Sequence, residues 1–202
     1  MTFVYRNSFL KSTGTTFTCL VGTYRSNTAM FVLRPPADSE SLQFLSQIQS
    51  SDEKLVRRAV QALSMAEDER ILPRLYDLLS TKSLQLQEIA CDGLSYYRGN
   101  REVVAKLVEK ATRDENEMAR IYALDALEEL GDAACITALA QICQDDRYPR
   151  ASVVAARILM NTFQAAEHLD KIEAVMRRHF GPRGDPTWAA NIRELRKKAE
   201  SK

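Results

Sequence analysis

The sequence predicts a mainly α-helical protein, an α–α superhelix built from about four helical hairpins. The first observation is a motif of small and apolar residues that recurs along the chain. Its four copies end in leucines at intervals of 31, 33 and 32 residues: Leu63, Leu94, Leu127 and Leu159. A sequence period in this range indicates a repeat architecture, because one such unit cannot bury its apolar face without its neighbours.

The second observation is a different type of segment that fills the intervals between the motifs. Apolar residues recur in it at three- and four-residue spacing, which is typical of an amphipathic helix. One aligned column consists of leucine or isoleucine: Leu75, Leu107, Leu139 and Ile172. We therefore expect each repeat to pair a motif helix, A, with the B helix that follows it, and the alanines of A to permit close packing between the two. The repeats fall at about residues 51–82, 83–114, 115–147 and 148–178.

The third observation is the different composition of residues 1–36. The segments TTFTCLVGTY (15–24) and AMFVLR (29–34) are rich in β-branched and aromatic residues, which favour strands. Residues 25–27 between them suit a hairpin turn, and residues 2–6 suit a third strand. We expect this β-rich segment to cap the helical part; the alternatives are a recognition module or an edge strand that pairs with a partner.

The helical domain, residues 37–202, is expected to be closed by a helix at each end. A helix over residues 37–49 should cover the first hairpin, and a helix over residues 186–200 should cover the last one. Each carries an apolar stripe at helical spacing: Leu42, Leu45 and Ile48 in the first, Trp188, Ile192 and Leu195 in the second. Such caps are needed because an uncovered end of a repeat stack exposes its core.

The motif ARIYALDALEELGD, residues 119–132, consists of an arginine, spaced alanines and leucines, and a final Gly-Asp. It resembles the first helix of a HEAT repeat of the short type named after phycobilisome lyases. The segment EDERILPRLYDLLS, residues 67–80, resembles the second helix of that repeat. The resemblance extends over roughly Ser51 to Arg177. The arginine is Arg120 in this copy, whereas the other copies have a different residue there: Val56, Gln87 and Ser152.

The resemblance implies a protein-binding solenoid whose B helices line a concave face. Two aligned columns of the B helices lie outside the apolar stripe, one mainly basic and one mainly polar or acidic. Their candidate binding residues are Arg74, Lys106, Lys171, Asp77, Glu109 and Gln141, with Tyr76, Tyr96 and Tyr97 as aromatic anchors. The alternative is that the charged residues form ordinary surface pairs three positions apart. We predict a non-catalytic scaffold: an adaptor, an assembly factor or an inhibitor.

The same resemblance implies an alternative function, that of a subunit of a phycobilin lyase. Such proteins attach or remove an open-chain tetrapyrrole on a cysteine that belongs to the client protein. A nucleophile in this chain is therefore not required. Arg74 or Lys106 would then pair with the propionates of a transiently bound bilin. Apart from this bilin, we expect no cofactor.

No motif in the sequence predicts autonomous catalysis. The chain has two histidines, His168 and His179, and neither is part of a recognisable catalytic constellation. It contains no glycine-rich phosphate loop and no GxSxG, and no two cysteines form a CxxC. Cys91 and Cys135 fall at apolar helical positions, where a free cysteine behaves as a small hydrophobic residue. We predict no catalytic residue and no metal ligand.

The net charge of +1 conceals an uneven distribution of basic residues. From Met176 onwards the chain has eight basic residues against three acidic ones, so the remainder is net acidic. We expect the basic side of the last helix to be a solvated face; the alternative is a docking site for an acidic protein or a nucleic-acid backbone. The candidate residues there are Trp188, Arg193, Arg196 and Lys197. Without a broad basic excess, a nucleic-acid partner is not expected.

No stretch of the sequence approaches the ~20 apolar residues of a membrane span. The N-terminus also lacks a basic region followed by an apolar core, the pattern of a secretory signal peptide. These two features predict a cytoplasmic protein.

Overall fold

The computed structural model describes residues 21–25, 28–32, 38–145, 147–181 and 186–201. The chain divides into two compact units, Met1–Pro35 and Pro36–Lys202.

In the first unit, strands β1 (Val21–Arg25) and β2 (Thr28–Val32) pair antiparallel, with Val21 opposite Val32. The turn residues Ser26 and Asn27 and the strand expected at residues 2–6 lie outside the described residues. The β-rich N-terminal segment over residues 1–36 stays a prediction.

The second unit is helical, as the sequence predicts. Its helices are α1 (Asp38–Gln47), α2 (Glu53–Met65), α3 (Leu72–Leu79), α4 (Leu84–Leu94), α5 (Arg101–Arg113), α6 (Glu117–Leu130), α7 (Ile136–Ile142), α8 (Pro149–Asn161), α9 (Leu169–Phe180) and α10 (Pro186–Glu200). A single 3-10 turn precedes each of α3, α7 and α9.

Capping residues set the helix boundaries. The Asp52 carboxylate accepts a hydrogen bond from the backbone N–H of Lys54 at 2.9 Å, which satisfies a free donor at the start of α2. Asn100 and Asn116 cap α5 and α6 in the same way. Gly131 ends α6 with a φ of 64°, a left-handed conformation that favours glycine. The turn predicted at Gly131 and the residue after it is therefore present.

The helices of the second unit form two rows. We call α2, α4, α6 and α8 the first row, and α3, α5, α7 and α9 the second row. Neighbouring first-row helices approach one another closely along their backbones, whereas second-row helices approach one another at few points. Each of α3, α5 and α7 packs closely on the first-row helix that follows it in the chain.

This packing corrects the expected pairing within a repeat. The sequence predicts a hairpin of each A helix with the B helix after it, but the tight hairpins are α3–α4, α5–α6 and α7–α8. The pair α8–α9 is the one close contact of the expected kind among the described helices.

The small residues of the motif explain the close spacing of the first row. A Cβ atom added to Gly93 of α4 would lie 2.5 Å from Cγ1 of Val60 and 3.0 Å from Oγ of Ser64, both on α2. The aligned alanines Ala59, Ala90, Ala123 and Ala155 are fully buried. The small side chains therefore bring first-row helices of successive repeats together, rather than joining each A helix to its own B partner.

The core lies between the two rows. The four leucines that end the motifs, and the aligned column that begins with Leu75, are at most 1% exposed. Trp188, Ile192 and Leu195 of α10 join this core, as predicted for a covering helix. In α1 the predicted stripe is partly wrong: Ile48 is buried, but Leu42 is 63% exposed. The buried stripe of α1 instead starts at Ser41 and includes Phe44, because these positions face the same side as Ile48.

Candidate binding surfaces

The exposed side of the first row, which we call the first-row face, is crossed by polar contacts between successive helices. The guanidinium group of Arg57 on α2 lies 3.4 Å from the carboxylates of Glu88 and Asp92 on α4. The hydroxyl group of Ser95, just after α4, donates a hydrogen bond to Glu129 of α6 at 3.0 Å. These contacts place side chains of three successive first-row helices side by side.

A second set of contacts joins α6 to α8. The Arg157 guanidinium lies 3.4 Å from the carboxylate of Asp125 and 2.9 Å from that of Glu128. Thr162 donates a hydrogen bond to Glu128 at 3.1 Å. Among the described residues, however, no ion pair joins α4 to α6. We call the carboxylates that flank this junction the acidic seam: Glu88, Asp92, Asp125, Glu128 and Glu129.

Two carboxylates of the acidic seam are poorly stabilised as anions. Desolvation by the surrounding protein, reinforced by the neighbouring charge of Glu88, raises the pKa of Asp92 to about 6, and Arg57 offsets only part of the rise. Desolvation also raises the pKa of Asp125, against the opposing effect of Arg157. Yet the side chains of Asp92 and Asp125 are 53% and 54% exposed. Both groups are therefore crowded by protein while solvent still reaches them.

Apolar side chains lie among these charges. Ile121, Tyr122 and Val153 occupy the same helices, are partly exposed and rest on the core. Tyr96, one of the predicted anchors, is half-buried just after α4. The first-row face thus combines charge with accessible apolar surface, a composition found at protein interfaces.

The second-row face, the exposed side of α3, α5, α7 and α9, contains most of the predicted binding residues. Half-buried Arg74 donates a hydrogen bond through Nε to the carbonyl oxygen of Ile48 at 3.3 Å. Lys106 is exposed, with Nζ 6.0 Å from the ring centroid of Tyr76. The hydroxyl group of Tyr76 is buried without a hydrogen-bond partner among the described residues. Arg74 therefore contacts the end of the N-terminal helix α1 rather than standing free.

The expected pairs of charges three residues apart are absent among the described residues of the second-row face. Glu109 pairs with Arg113, four residues away, at 3.2 Å, instead of with Lys106. Asp77 and Gln141 are exposed, and neither makes a hydrogen bond or ion pair within the described part of the chain through its side chain. Among the described residues of this face, no ion pair joins one second-row helix to the next, in contrast to the first-row face.

Tyr97 is not a surface anchor. It is 4% exposed, and its hydroxyl group donates a hydrogen bond to the carbonyl oxygen of Asp68 at 2.8 Å. The aromatic ring and this hydrogen bond connect two successive repeats, so the residue stabilises the stack.

The predicted basic surface near the C-terminus is smaller than expected. Arg196 binds the carboxylates of Asp170 and Glu173 on α9, each at 2.7 Å, and so fastens α10 to its neighbour. Trp188, a residue of α10, is buried in the core. Arg193, Arg196 and Lys197 are all exposed, and of these three only Arg193 and Lys197 make no ion pair within the described part of the chain. Lys171 is half-buried and lines a shallow depression of about 430 Å³ between α7 and α9.

Residues 72–160 match a family model described as HEAT repeats. The matched segment begins at the first residue of α3 and ends inside α8, so it covers the three tight hairpins α3–α4, α5–α6 and α7–α8. The match supports a HEAT-repeat protein. No curated protein matches the chain. The phycobilisome-lyase-like subtype has no support from these comparisons, and the bilin-lyase alternative stays a prediction.

The arginine of the HEAT-like motif has a structural role here. Arg120 is 2% exposed, and Nη1 donates a hydrogen bond to the carbonyl oxygen of Ala111 at 3.2 Å, at the end of α5. The same atom lies 3.5 Å from the carboxylate of Asp145, and the guanidinium carbon lies 3.8 Å from the ring centroid of Tyr148. Free carbonyl groups at a helix C-terminus require such donors.

The aligned residues of two other repeats perform the same task. Gln87 donates a hydrogen bond to the carbonyl oxygen of Thr81 after α3, and Ser152 donates one to the carbonyl oxygen of Ile142 at the end of α7, at 3.0 Å. Three of the four residues in this column thus fulfil one structural role, whereas Val56 in the first copy is part of the apolar core. The sequence signal for this role was the presence of a polar residue, in three of the four copies, at a position that faces the core.

The described thiols are buried and unreactive. Cys91, Cys135 and Cys143 are free cysteines, and burial raises the pKa of Cys135 to about 11 and that of Cys143 to about 12. Within the described ranges, no group of three or more His, Cys, Asp or Glu side chains is placed to hold a metal ion. None of the described helices is both long enough and apolar enough to cross a bilayer.

Proposed function

We propose that this HEAT-repeat protein is a non-catalytic binding scaffold, an adaptor, assembly factor or inhibitor, whose protein partner occupies the first-row face. HEAT repeats generally mediate protein–protein interaction, and residues 72–160 match such repeats. The single observation that carries the choice of face is the spacing of the two rows. First-row helices pack closely on one another, whereas second-row helices do not.

The difference in spacing has a geometric consequence for a superhelix. When hairpins stack with one row closer together than the other, the stack curves toward the closer row, which becomes the concave side. Asp92 and Asp125 lie on this face, where the surrounding protein desolvates both carboxylates although about half of each side chain is exposed. The proposal replaces the sequence-based assignment of the concave face to the B helices.

The composition of the first-row face also supports binding. Partly exposed apolar side chains such as Ile121 and Val153 alternate with charged ones, so a partner can bury apolar area and form ion pairs at once. Ion pairs already span the α2–α4 and α6–α8 junctions. These pairs hold the charged side chains in place before the partner arrives, which lowers the entropic cost of binding.

Site-specific photo-crosslinking in cells of the source organism tests the proposed function. Gln85 on α4 and Gln141 on α7 are both exposed glutamines, one in each row. Each is replaced in turn by the photoreactive residue p-benzoylphenylalanine. We expect a reproducible crosslinked protein from position 85 and a much weaker product, or none, from position 141. Crosslinking from position 141 alone would contradict the choice of face, and no product from either position would contradict a scaffold function.

A further inference from the structure

We propose that the segment which binds the first-row face is basic, and that its lysine or arginine side chains lie over the junction between α4 and α6. This inference rests on the proposed function and names the chemistry of the partner.

The charge distribution across the row carries the proposal. Arg57 reaches the acidic seam from the α2 side, and Arg157 reaches it from the α8 side. Between them, α4 and α6 present carboxylates to each other, and no ion pair among the described residues bridges the two helices. Like charges on neighbouring helices repel, and a cation placed between them interacts favourably with both. Arg57 and Arg157 pair with four of the five carboxylates, so the acidic seam has two arginines against five carboxylates and keeps a net excess of negative charge.

The surroundings of the seam favour a protein segment over a small ion. Ile121 and Tyr122 on α6, with Tyr96 just after α4, offer partly exposed apolar surface beside the carboxylates. Lysine and arginine side chains combine a long apolar stem with a charged end, so they fit such a surface. No group of described His, Cys, Asp or Glu residues is placed to hold a metal ion. Phosphate-bearing ligands would be repelled by the same carboxylates.

A fluorescence anisotropy titration of the full chain tests the proposal with a defined probe. The probe is a labelled helical peptide of about four turns, with lysine at every fourth position and alanine or leucine elsewhere. The matched control peptide has glutamate in place of each lysine. We expect saturable binding of the lysine peptide only, weakened at least about tenfold when the salt concentration rises from about 50 mM to about 300 mM.

Two double variants locate the binding surface. Asp92→Asn with Asp125→Asn removes two carboxylates from the seam and leaves the side-chain shapes unchanged. Asp77→Asn with Glu109→Gln removes two from the second-row face. We expect the first variant to weaken binding of the lysine peptide at least about fivefold, and the second to leave it unchanged.

Equal affinity for both peptides, or an equal loss in both variants, would overturn the proposal. Circular dichroism of each variant confirms that the helical fold is retained. The scaffold function and the basic segment can be refuted independently of each other. A partner crosslinked at position 85 through a segment without basic residues would leave the scaffold function standing and refute only the basic segment.

Discussion

The two rows of helices differ in how their surface charges are arranged. In the first row, ion pairs and hydrogen bonds run from one repeat to the next, as in Arg57–Asp92 and Ser95–Glu129. In the second row, Glu109 pairs within its own helix and Arg74 binds a backbone carbonyl group. Close spacing favours the contacts of the first row, because exposed side chains on helices that nearly touch reach one another across the junction.

Some aligned columns of the repeat are constant from copy to copy, and others vary. The column of terminal leucines is the same in every copy and forms core. The neighbouring exposed column changes from Gln61 to Asp92, Asp125 and Arg157, so its charge differs from repeat to repeat. The constant leucines therefore form the core of the scaffold, and the variable column gives each repeat a different surface charge that one particular partner can recognise.

We expect the largest effect on stability from Arg120, which connects α6 of the first row to the end of α5 of the second row. Arg120→Ala should lower the free energy of unfolding by about 3 kcal/mol, because it leaves carbonyl groups at the end of α5 and the Asp145 carboxylate without a buried donor. Arg120→Gln should recover part of the loss, since Gln87 performs this task in the second repeat. Urea denaturation measures both.

The exposed Arg113→Ala is the control for this prediction, with an expected change below about 0.5 kcal/mol. If Arg120→Ala were as mild as Arg113→Ala, the structural role assigned to the motif arginine would be wrong.

A smaller loss of stability is expected when a side chain is enlarged in the closely spaced first row. Gly93→Ala should destabilise the fold by about 1–3 kcal/mol, because the new methyl group meets the buried and β-branched Val60 of the next first-row helix. This is opposite in sign to the gain of about 0.5–1 kcal/mol that the same change gives in an ordinary helix interior.

Ala105→Val, at an exposed second-row position, is the matched enlargement and should change stability by less than about 0.5 kcal/mol. Thermal denaturation of both variants provides the measurement. A stabilising Gly93→Ala would mean that α2 and α4 are further apart than described.

The smallest effect should come from a single carboxylate of the acidic seam. The raised pKa of Asp92, about 6 against an ordinary 3.8, means that the folded protein holds this proton more tightly than the unfolded chain. The free energy of unfolding therefore falls as the pH rises from about 4 to about 6. Asp92→Asn removes this loss, so its Tm should exceed that of the parent at pH 7 by up to about 3 °C and should not exceed it at pH 4.

The increase in Tm is limited because the carboxylate is half exposed and also contacts Arg57. A Tm that falls at pH 7 would show that the Arg57 contact outweighs desolvation. A gain in stability together with the predicted loss of peptide binding is the pattern expected of a residue kept for function.

The sequence was sufficient to predict the repeat and its core, and insufficient to predict how the helices pair. Apolar spacing identified Leu63 and Leu75 because burial follows helical periodicity. Periodicity does not say which adjacent helix is the closer one. Two sequence signals were available: the connection at 114–116 is shorter than the one at 95–100, and Gly93 stands where other copies have larger residues. The short connection indicates that α6 packs closely on α5, and Gly93 indicates that α4 packs closely on α2.

The candidate site was harder to predict than the fold, for physical reasons. Tyr97 looked like an anchor because the sequence does not reveal that its hydroxyl group meets Asp68, 29 residues away. The acidic seam was missed because Asp92 and Asp125 are 33 residues apart in the chain. Only the stacking of α4 on α6 brings them to one surface.

Carboxyl footprinting of the full chain shows which face the lysine peptide covers, because it compares both faces within one molecule. Exposed carboxylates are coupled to glycine ethyl ester with a carbodiimide, with and without the lysine peptide, and quantified by mass spectrometry. We expect protection of Asp92, Asp125 and Glu129 and unchanged labelling of Asp77 and Glu109. Protection of Asp77 and Glu109 with unchanged labelling of the acidic seam would contradict this expectation.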